Sequence, residues 1–577
     1  MAERLTSLQQ LDFKPRGKVQ PSPAEWRDQF IYQLLIDRFD DNKEHPPYDA
    51  KNAKHGRDEK KSGCFQGGKI KGITRRLDYI KNLGCTTIWI SPPFKNRQEC
   101  QDACHGYGIQ DFLAIDPRFG STEDLRELVD EAHKRGMFIV LDIVIQHTGN
   151  NWSYPGDKGN PFKEDGQYPF GAWRGRDNRQ IPPDKTKDLG PDDGVWPVEL
   201  QNPDFYKRRG EIRNLLDCGD DERINGDFFV FKDLDLKNPA VLDIIIKCYK
   251  FWISAVDCDG FRIDTVTNTE PEATAIFCNA IREYARSIGK HNFLIYGEIV
   301  GSDDLLQKYI GGNIPVPGEG KRFPMFSAVL DFPLYFVLEE VIKGFRNPEE
   351  LRNRAEKFRW FYRDYSEVGQ YFITFVDNHD QIARPYKRFG YGVDDPRQAV
   401  LAIGYLLTSM GIPCIYYGTE QGFDGGGKSD QCIRETMFGG TWGGHDTTGV
   451  QFFNPEHPIY QGIARIAKVR AAEAALKYGR EYFRQISGNG KDFGYPIDGN
   501  CTLAYSRVLD IHSIVVALNL QAADRNDWIL LDPNLNPAGK KLKNLLGDQT
   551  LTIEQTPAGP AVKIPLKPRE MMILKPV

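Results

Sequence analysis

The run GFRID at residues 260–264 places an arginine and an aspartate two positions apart inside an apolar stretch. Side chains alternate along a β-strand, so Arg262 and Asp264 would share one face. Burying an unpaired charge is costly, and a structural ion pair would satisfy both groups. The other interpretation is a chemical site, in which the arginine keeps the carboxylate ionised because an adjacent cation favours the charged form.

Further polar and ionisable side chains occur at or just after the ends of other apolar runs. In chain order these are Tyr107, Asp142, His147, Glu298, His379 and Asp380. Packing explains any one of them, but their repeated occurrence at the ends of separate runs indicates a functional site.

Three carboxylates with an arginine, two histidines and a tyrosine, without a phosphate-binding glycine loop, indicate glycoside chemistry. In that chemistry one carboxyl group acts as nucleophile and another as general acid. Asp264 lies beside Arg262 and is the predicted nucleophile. Glu298 ends the apolar run FLIYGE, where burial would raise its pKa and keep a proton available. Glu298 is therefore the predicted acid/base.

The remaining groups suit the recognition of a sugar. Asp380 is predicted to bind sugar hydroxyls and to distort the ring towards an oxocarbenium shape. His147 and His379 are predicted as further hydroxyl donors. Tyr107 offers an aromatic face on which a pyranose ring can lie.

The elements that would position these residues follow a regular pattern from about residue 70. The segment STEDLRELVDEAHKRG starts with a capping box at Ser121 and Asp124, ends at Gly136 and precedes a β-branched run, as in parallel βαβ units. Eight apolar runs are candidate strands, at 31–36, 86–91, 138–143, 260–264, 293–298, 327–332, 371–376 and 412–417. Eight parallel strands with intervening helices predict an α/β fold, a (β/α)₈ TIM barrel.

Two parts of the chain do not follow the barrel pattern. Residues 148–232 form a connection rich in Gly, Pro, Asp and aromatic residues, which predicts an inserted domain between strand three and helix three. Residues 481–577 carry short alternating runs, which predict a C-terminal antiparallel β-sandwich domain. The barrel would then comprise residues 1–147 and 233–480.

Composition excludes several classes of partner. The 577 residues carry a net charge of −5 and no basic stripe, so neither nucleic acid nor a membrane is an expected partner. No apolar run reaches the ~18 residues of a membrane span, and the N-terminus lacks the apolar core of a secretory signal. We expect a cytoplasmic protein that acts on a neutral ligand. The sequence gives no indication of an oligomeric state.

Four motifs occur in the order DIVIQH, GFRID, GE and DNHD, and HGYG and GIPCIYYGTEQG accompany them. With these motifs the chain resembles the α-amylase family of retaining glycoside hydrolases, from about residue 28 to the C-terminus. The resemblance implies a barrel, an inserted domain after strand three and a C-terminal β-sandwich. It also implies double displacement on α-linked glucosides, in which Asp264 forms the glycosyl-enzyme intermediate and Asp142 stabilises the arginine from beneath.

Several positions depart from the family's motifs. Endo-acting members usually carry a lysine and a histidine where this chain has Thr267 and Asn268, which leaves the acceptor-side specificity open. Gln146 replaces an asparagine that can ligate calcium, and Asp233 matches a second position for that ion. Calcium needs six to eight oxygen ligands, and these changes weaken such a site. We predict no metal-binding residues and no required cofactor, with calcium as an open alternative.

The predicted function is hydrolysis of α-glucosidic bonds, mainly α-1,4, in malto-oligosaccharides or related α-glucans. One alternative is a transglycosylase or 4-α-glucanotransferase, in which a sugar replaces water as the acceptor at the same site. A second alternative is a catalytically silent, amylase-like binding subunit. The presence of Asp264, Glu298 and Asp380 argues against the silent subunit.

Overall fold

A computed structural model describes residues 4–51, 54–56, 61–97, 103–157, 159–215, 217–310, 324–361, 364–381, 386–393 and 395–577. Eight parallel strands close into a barrel in chain order, and the last pairs with the first. They are β1 (Ile31–Leu34), β2 (Thr87–Ile90), β3 (Phe138–Ile143), β4 (Gly260–Ile263), β5 (Leu294–Gly297), β6 (Ala328–Leu330), β7 (Phe372–Thr374) and β8 (Ile412–Tyr416). Each lies within one of the predicted apolar runs, so the (β/α)₈ prediction is confirmed.

Helices surround this barrel. Within the described residues they are α1 (Ile36–Phe39), α2 (Ile70–Arg75), α3 (Leu77–Asn82), α4 (Thr122–Lys134), α5 (Asp220–Asn225), α6 (Pro239–Val256), α7 (Pro271–Ser287), α8 (Asp303–Ile310), α9 (Phe332–Ile342), α10 (Glu349–Phe361), α11 (Arg397–Thr408), α12 (Pro458–Ala472) and α13 (Ala474–Tyr478). The predicted capping box is present at α4, where Ser121 and Asp124 each accept a hydrogen bond from the other's backbone N–H. None of the helices described could span a lipid bilayer, judged by length and apolar character.

The barrel strands are buried on both faces, which is why they appear as nearly continuous apolar runs in the sequence. Trp89, Val140, Tyr296 and Ile373 pack together with other strand residues in one buried cluster. The alternate strand residues pack against the helices in a second, larger cluster. Because all eight strands are parallel, their C-terminal ends meet at one rim.

The connection between β3 and α6 begins and ends at a two-stranded neck. His147–Thr148 pairs antiparallel with Lys232–Asp233, so the ends of the long segment lie side by side. Within it, Trp152–Ser153, Ala172–Arg174 and Gln180–Ile181 form a small sheet. A hairpin of Phe94–Asn96 and Ile109–Ile115 follows β2.

The C-terminal part is a nine-stranded antiparallel sheet. Its strands are β9 (Arg480–Phe483), β10 (Ile486–Ser487), β11 (Thr502–Leu509), β12 (His512–Asn519), β13 (Arg525–Leu530), β14 (Lys541–Asn544), β15 (Thr550–Thr556), β16 (Gly559–Leu566) and β17 (Met571–Pro576), in the spatial order β9-β11-β12-β17-β14-β15-β16-β13-β10. Side chains from both halves of this order, such as Val515, Met572, Ile553 and Val562, share one buried cluster. The sheet is therefore curled around its own core.

Candidate active site

Arg262 stands at the centre of the acidic residues at the C-terminal rim. Its Nη1 atom lies 2.9 Å from Oδ1 of Asp142 and 2.7 Å from Oδ1 of Asp264, and its Nη2 atom lies 2.7 Å from Oε1 of Glu298. Strand register explains this convergence, because Arg262 of β4 is paired with Asp142 of β3. Glu298 directly follows β5, the other neighbour of β4. One buried guanidinium therefore contacts three carboxylates from three adjacent strands.

Thr265 connects the two carboxyl groups on the open side. Its backbone N–H donates to Oε2 of Glu298 at 3.1 Å, and its hydroxyl donates to Oδ2 of Asp264 at 3.2 Å. To do so it adopts a left-handed backbone conformation with φ 38°, which is strained for a β-branched residue. Sequence analysis did not single out Thr265, since nothing in its type or spacing indicates this conformation.

Burial dominates the ionisation of all three acids. It raises the pKa of Glu298 above its usual range, a direction that agrees with an acid/base role, and the nearby Asp264 raises it further. Burial also raises the pKa of Asp264, although Arg262 opposes the effect. From Arg262 alone the sequence predicted the opposite direction, but the cost of desolvating the carboxylate outweighs the effect of the cation on the pKa. Burial raises the pKa of Asp142 to about 6.

Tyr107 and His379 form a buried hydrogen-bond chain behind the carboxylates. The Tyr107 hydroxyl donates to Oδ2 of Asp142 at 2.8 Å, so its 2.6 Å contact with Nε2 of His379 requires the proton of the histidine. Nδ1 of His379 lies 2.6 Å from Nε2 of Gln33, which then donates to it. Burial and the charge of Arg262 lower the pKa of His379 well below its usual range, which agrees with a single proton on Nε2.

Asp380 lies at the wall of a cavity of about 340 Å³ that Asp264 and Tyr107 also line. Its Oδ1 atom is buried and has no hydrogen-bond partner among the residues described. Burial and the charge of Asp430 raise the pKa of Asp380 well above its usual range, while Arg434 acts in the opposite direction. Asp380 therefore forms part of the surface that meets whatever occupies the cavity.

His147 is close to the cavity but is not one of the described residues that line it. Its Nε2 proton is donated to the carbonyl of Tyr107 at 3.2 Å, and its ring stacks on Phe231 at 4.7 Å between centroids. Burial lowers its pKa to about 3, so the ring is neutral. Of the eight predicted site residues, those among the described lining of the cavity are Tyr107, Asp264 and Asp380. The sugar-binding role of His147 stays a prediction.

The cavity has other lining residues that are not among the predicted site residues. Asp430 and Arg434 follow β8, and both line the cavity. Phe229 and Val230 lie in the tip FFVF, with side chains 60% and 48% exposed. An apolar tetrapeptide predicts a buried strand, and only its position at a turn, with φ 55° at Phe229, makes it a surface of the cavity.

A family model for the alpha amylase catalytic domain matches residues 33–447. The chain belongs to the α-amylase family. The resemblance indicated by the motifs is thereby confirmed.

Known members of the α-amylase family cover most of this chain. The α-amylase of Streptomyces lividans is 28% identical over 522 residues, which are 83% of this chain and 54% of that protein. The cyclomaltodextrin glucanotransferase of Geobacillus stearothermophilus is 27% identical over 482 residues, with coverages of 80% and 56%. The crystal structure of the Geobacillus thermoleovorans α-amylase complexed with acarbose has 25% identity and a TM-score of 0.69, covering 96% of this chain and 99% of that one. This chain spans about half the length of the two curated relatives.

The positions that would hold calcium in the family's pattern carry groups that do not fit the ion. Nζ of Lys207 lies 3.5 Å from Oδ2 of Asp233, so an ammonium occupies the space beside the expected ligand. The amide nitrogen of Gln146 donates to the hydroxyl of Thr265, and Asn268 donates to the carbonyl of Arg223 at 3.2 Å. Across the described ranges, no group of three His, Cys, Asp or Glu residues could hold a metal ion.

Proposed function

We propose that the protein is a retaining glycoside hydrolase that cleaves α-glucosidic bonds, mainly α-1,4, in malto-oligosaccharides or related α-glucans. The observation that carries this proposal is the contact of one guanidinium, Arg262, with both Asp264 and Glu298 at 2.7 Å. Carboxyl groups that share a guanidinium are close together. Such closeness is required by the ~5–5.5 Å carboxyl separation typical of retaining enzymes.

In the first step, a carboxylate oxygen of Asp264 attacks the anomeric carbon as the bond to the leaving oxygen breaks. Glu298 gives its proton to that oxygen, and the leaving sugar departs as an alcohol. The raised pKa of Glu298 keeps this proton available. In the second step, Glu298, now ionised, takes a proton from water. The water attacks the anomeric carbon and releases Asp264, so the configuration is retained.

The residues around the two carboxyls suit the binding of the sugar that reacts. Asp380 lies at the cavity wall, where its carboxyl group can contact sugar hydroxyls. Tyr107 presents its ring to the same cavity, and its hydroxyl is held by Asp142 and His379. Asp430 and Arg434 provide an acceptor and a donor for a neighbouring sugar unit. We assign these residues to substrate binding.

Transfer to a sugar acceptor is the second candidate reaction, and the exposed tip at Phe229 and Val230 favours it. These side chains form an apolar wall of the cavity that contains Asp264. An aromatic surface at that place can bind the apolar face of an acceptor sugar and exclude water from the glycosyl-enzyme intermediate. A silent binding subunit is disfavoured, because Asp264 and Asp380 line one cavity and Glu298 contacts the same guanidinium as Asp264.

Products formed from single purified substrates test the proposal. Maltose, maltoheptaose, cyclodextrin, pullulan, isomaltose and sucrose are incubated separately, and the products are separated by size with their anomeric form recorded by NMR. Hydrolysis predicts shorter products that appear first in the α-configuration, whereas transfer predicts products longer than the substrate. Initial release of β-products would refute the retaining mechanism.

A further inference from the structure

Lys207 forms a buried cluster with Asp233 and Glu270, the hub. Its Nζ atom is 3.1 Å from Oε1 of Glu270 and 3.5 Å from Oδ2 of Asp233, and it donates to the carbonyl of Ile224. The side chains of Lys207, Asp233 and Glu270 are 4%, 1% and 6% exposed. Apart from this ammonium, neither carboxylate has a hydrogen-bond donor within the part of the chain that the structure describes.

The hub joins three separate parts of the fold. Lys207 and Ile224 belong to the long segment between β3 and α6, and Asp233 is the neck residue paired with His147. Glu270 is the residue directly before α7, which follows β4. The backbone N–H of Lys207 also donates to the carbonyl of Asp233 at 3.1 Å. Removing the cation would leave two buried carboxylates facing each other where these parts meet.

A divalent ion and this lysine exclude each other. Calcium requires six to eight oxygen ligands at about 2.3–2.6 Å, whereas an ammonium has no acceptor and repels a cation. The hub remains suited to a positive charge, because both carboxylates lack other hydrogen bonds among the described residues. One lysine therefore provides the charge that the two acids require.

We propose that Lys207 acts as the internal cation of this hub in place of a bound calcium ion, and thereby positions the segment 148–232 against the barrel without any metal. Lys207 is a positioning residue, since it acts on the site through the neck at His147 and Asp233. This role of Lys207 does not depend on which sugar the enzyme cleaves or transfers.

Thermal unfolding of the full-length chain tests the proposal, with excess EDTA or excess Ca²⁺ present. The wild-type apparent Tm is expected to be unchanged by either addition. Lys207→Met is expected to unfold several degrees lower in EDTA, and Ca²⁺ is expected to restore part of the loss because the two carboxylates become free for the ion. Lys207→Arg, which keeps the charge, is expected to show no Ca²⁺ response.

Lys95→Met is the matched control. Lys95 is also buried and also bridges to the long segment, with Nζ 2.6 Å from Asp192 and 2.9 Å from the carbonyl of Pro191, but it faces a single carboxylate. Its variant is expected to lose Tm without gaining a Ca²⁺ response. The proposal is overturned if EDTA lowers the wild-type Tm and Ca²⁺ restores it, or if Ca²⁺ stabilises both methionine variants equally. If Lys207→Met does not fold, the effect of EDTA on the wild-type Tm still tests whether the wild-type protein depends on a bound metal ion.

Discussion

Nη2 of Arg262 lies 2.7 Å from Oε1 of Glu298, although the two side chains come from neighbouring strands of the barrel. The same guanidinium contacts Asp264 through its other terminal nitrogen. Arg262 lowers the pKa of both carboxyl groups, against the larger effect of burial. The proposed nucleophile and the proposed acid are thus tuned by one shared cation.

Replacing this cation should move the whole pH profile. In Arg262→Gln the pKa values of Asp264 and Glu298 both rise. The nucleophile then ionises only at higher pH, and the acid keeps its proton to higher pH, so both limbs of kcat/KM against pH shift to the alkaline side. We also expect kcat to fall by a factor on the order of 10² from lost preorganised charge. If the pH profile did not move, Arg262 would not set the pKa values of the two carboxyl groups. The control is Arg16→Gln, which replaces a surface arginine paired with Asp130.

The nucleophile assignment predicts a near-complete loss of turnover in Asp264→Asn. The amide has almost the same volume, so the fold should persist, but it cannot form the glycosyl ester. We expect kcat to decrease by a factor on the order of 10⁴ or more in a rate assay. The circular dichroism spectrum should be unchanged. If the variant hydrolysed maltoheptaose at the wild-type rate, Asp264 would not be the nucleophile.

The apolar wall at Phe229 predicts a change in the balance of transfer and hydrolysis. Phe229→Ser should admit water to the intermediate and weaken acceptor binding, so the ratio of transfer to hydrolysis products falls several-fold while hydrolysis continues. The ratio is measured by separating the products of one malto-oligosaccharide by length. Phe345→Ser is the control, because Phe345 is 82% exposed and does not line the cavity. If the ratio of transfer to hydrolysis products were equal in the two variants, Phe229 would not favour transfer.

Asp377 predicts a pH-dependent contribution to stability. It is buried, its oxygens accept from the N–H of Phe389 and the hydroxyl of Thr419, and burial raises its pKa to about 6. The pKa of Asp377 in the folded chain therefore lies above the unfolded value of ~3.9. Its contribution to the free energy of unfolding is fully present below about pH 4 and is lost as the pH rises through about 6. The loss is at most about 3 kcal/mol.

Asparagine at this position does not titrate. The apparent Tm of Asp377→Asn relative to wild type should therefore be higher at about pH 8 than at about pH 4. Unfolding scans of the two proteins across this range measure the difference. A difference that is constant with pH would show that Asp377 has the same pKa in the folded and unfolded chains.

Much of the fold could be predicted because parallel barrel strands are buried on both faces and therefore appear as apolar runs. The capping box before α4 is a local hydrogen-bond pattern and was also predictable. The exposed tip at Phe229 could not be predicted, since an apolar tetrapeptide has the same composition in a core strand and at an exposed turn. The pKa of Asp264 was misjudged for a related reason, because desolvation depends on surroundings that a neighbouring arginine does not reveal.

The sequence by itself determined the barrel, the order of the motifs and the pairing of Arg262 with Asp264, because strand periodicity and i, i+2 spacing are local properties. Only the tertiary structure decided that Glu298 shares the same guanidinium, that Tyr107 and His379 support Asp142, and that Lys207 meets Asp233 and Glu270. These contacts join residues far apart in the chain, and they depend on which strand ends the closed barrel brings together.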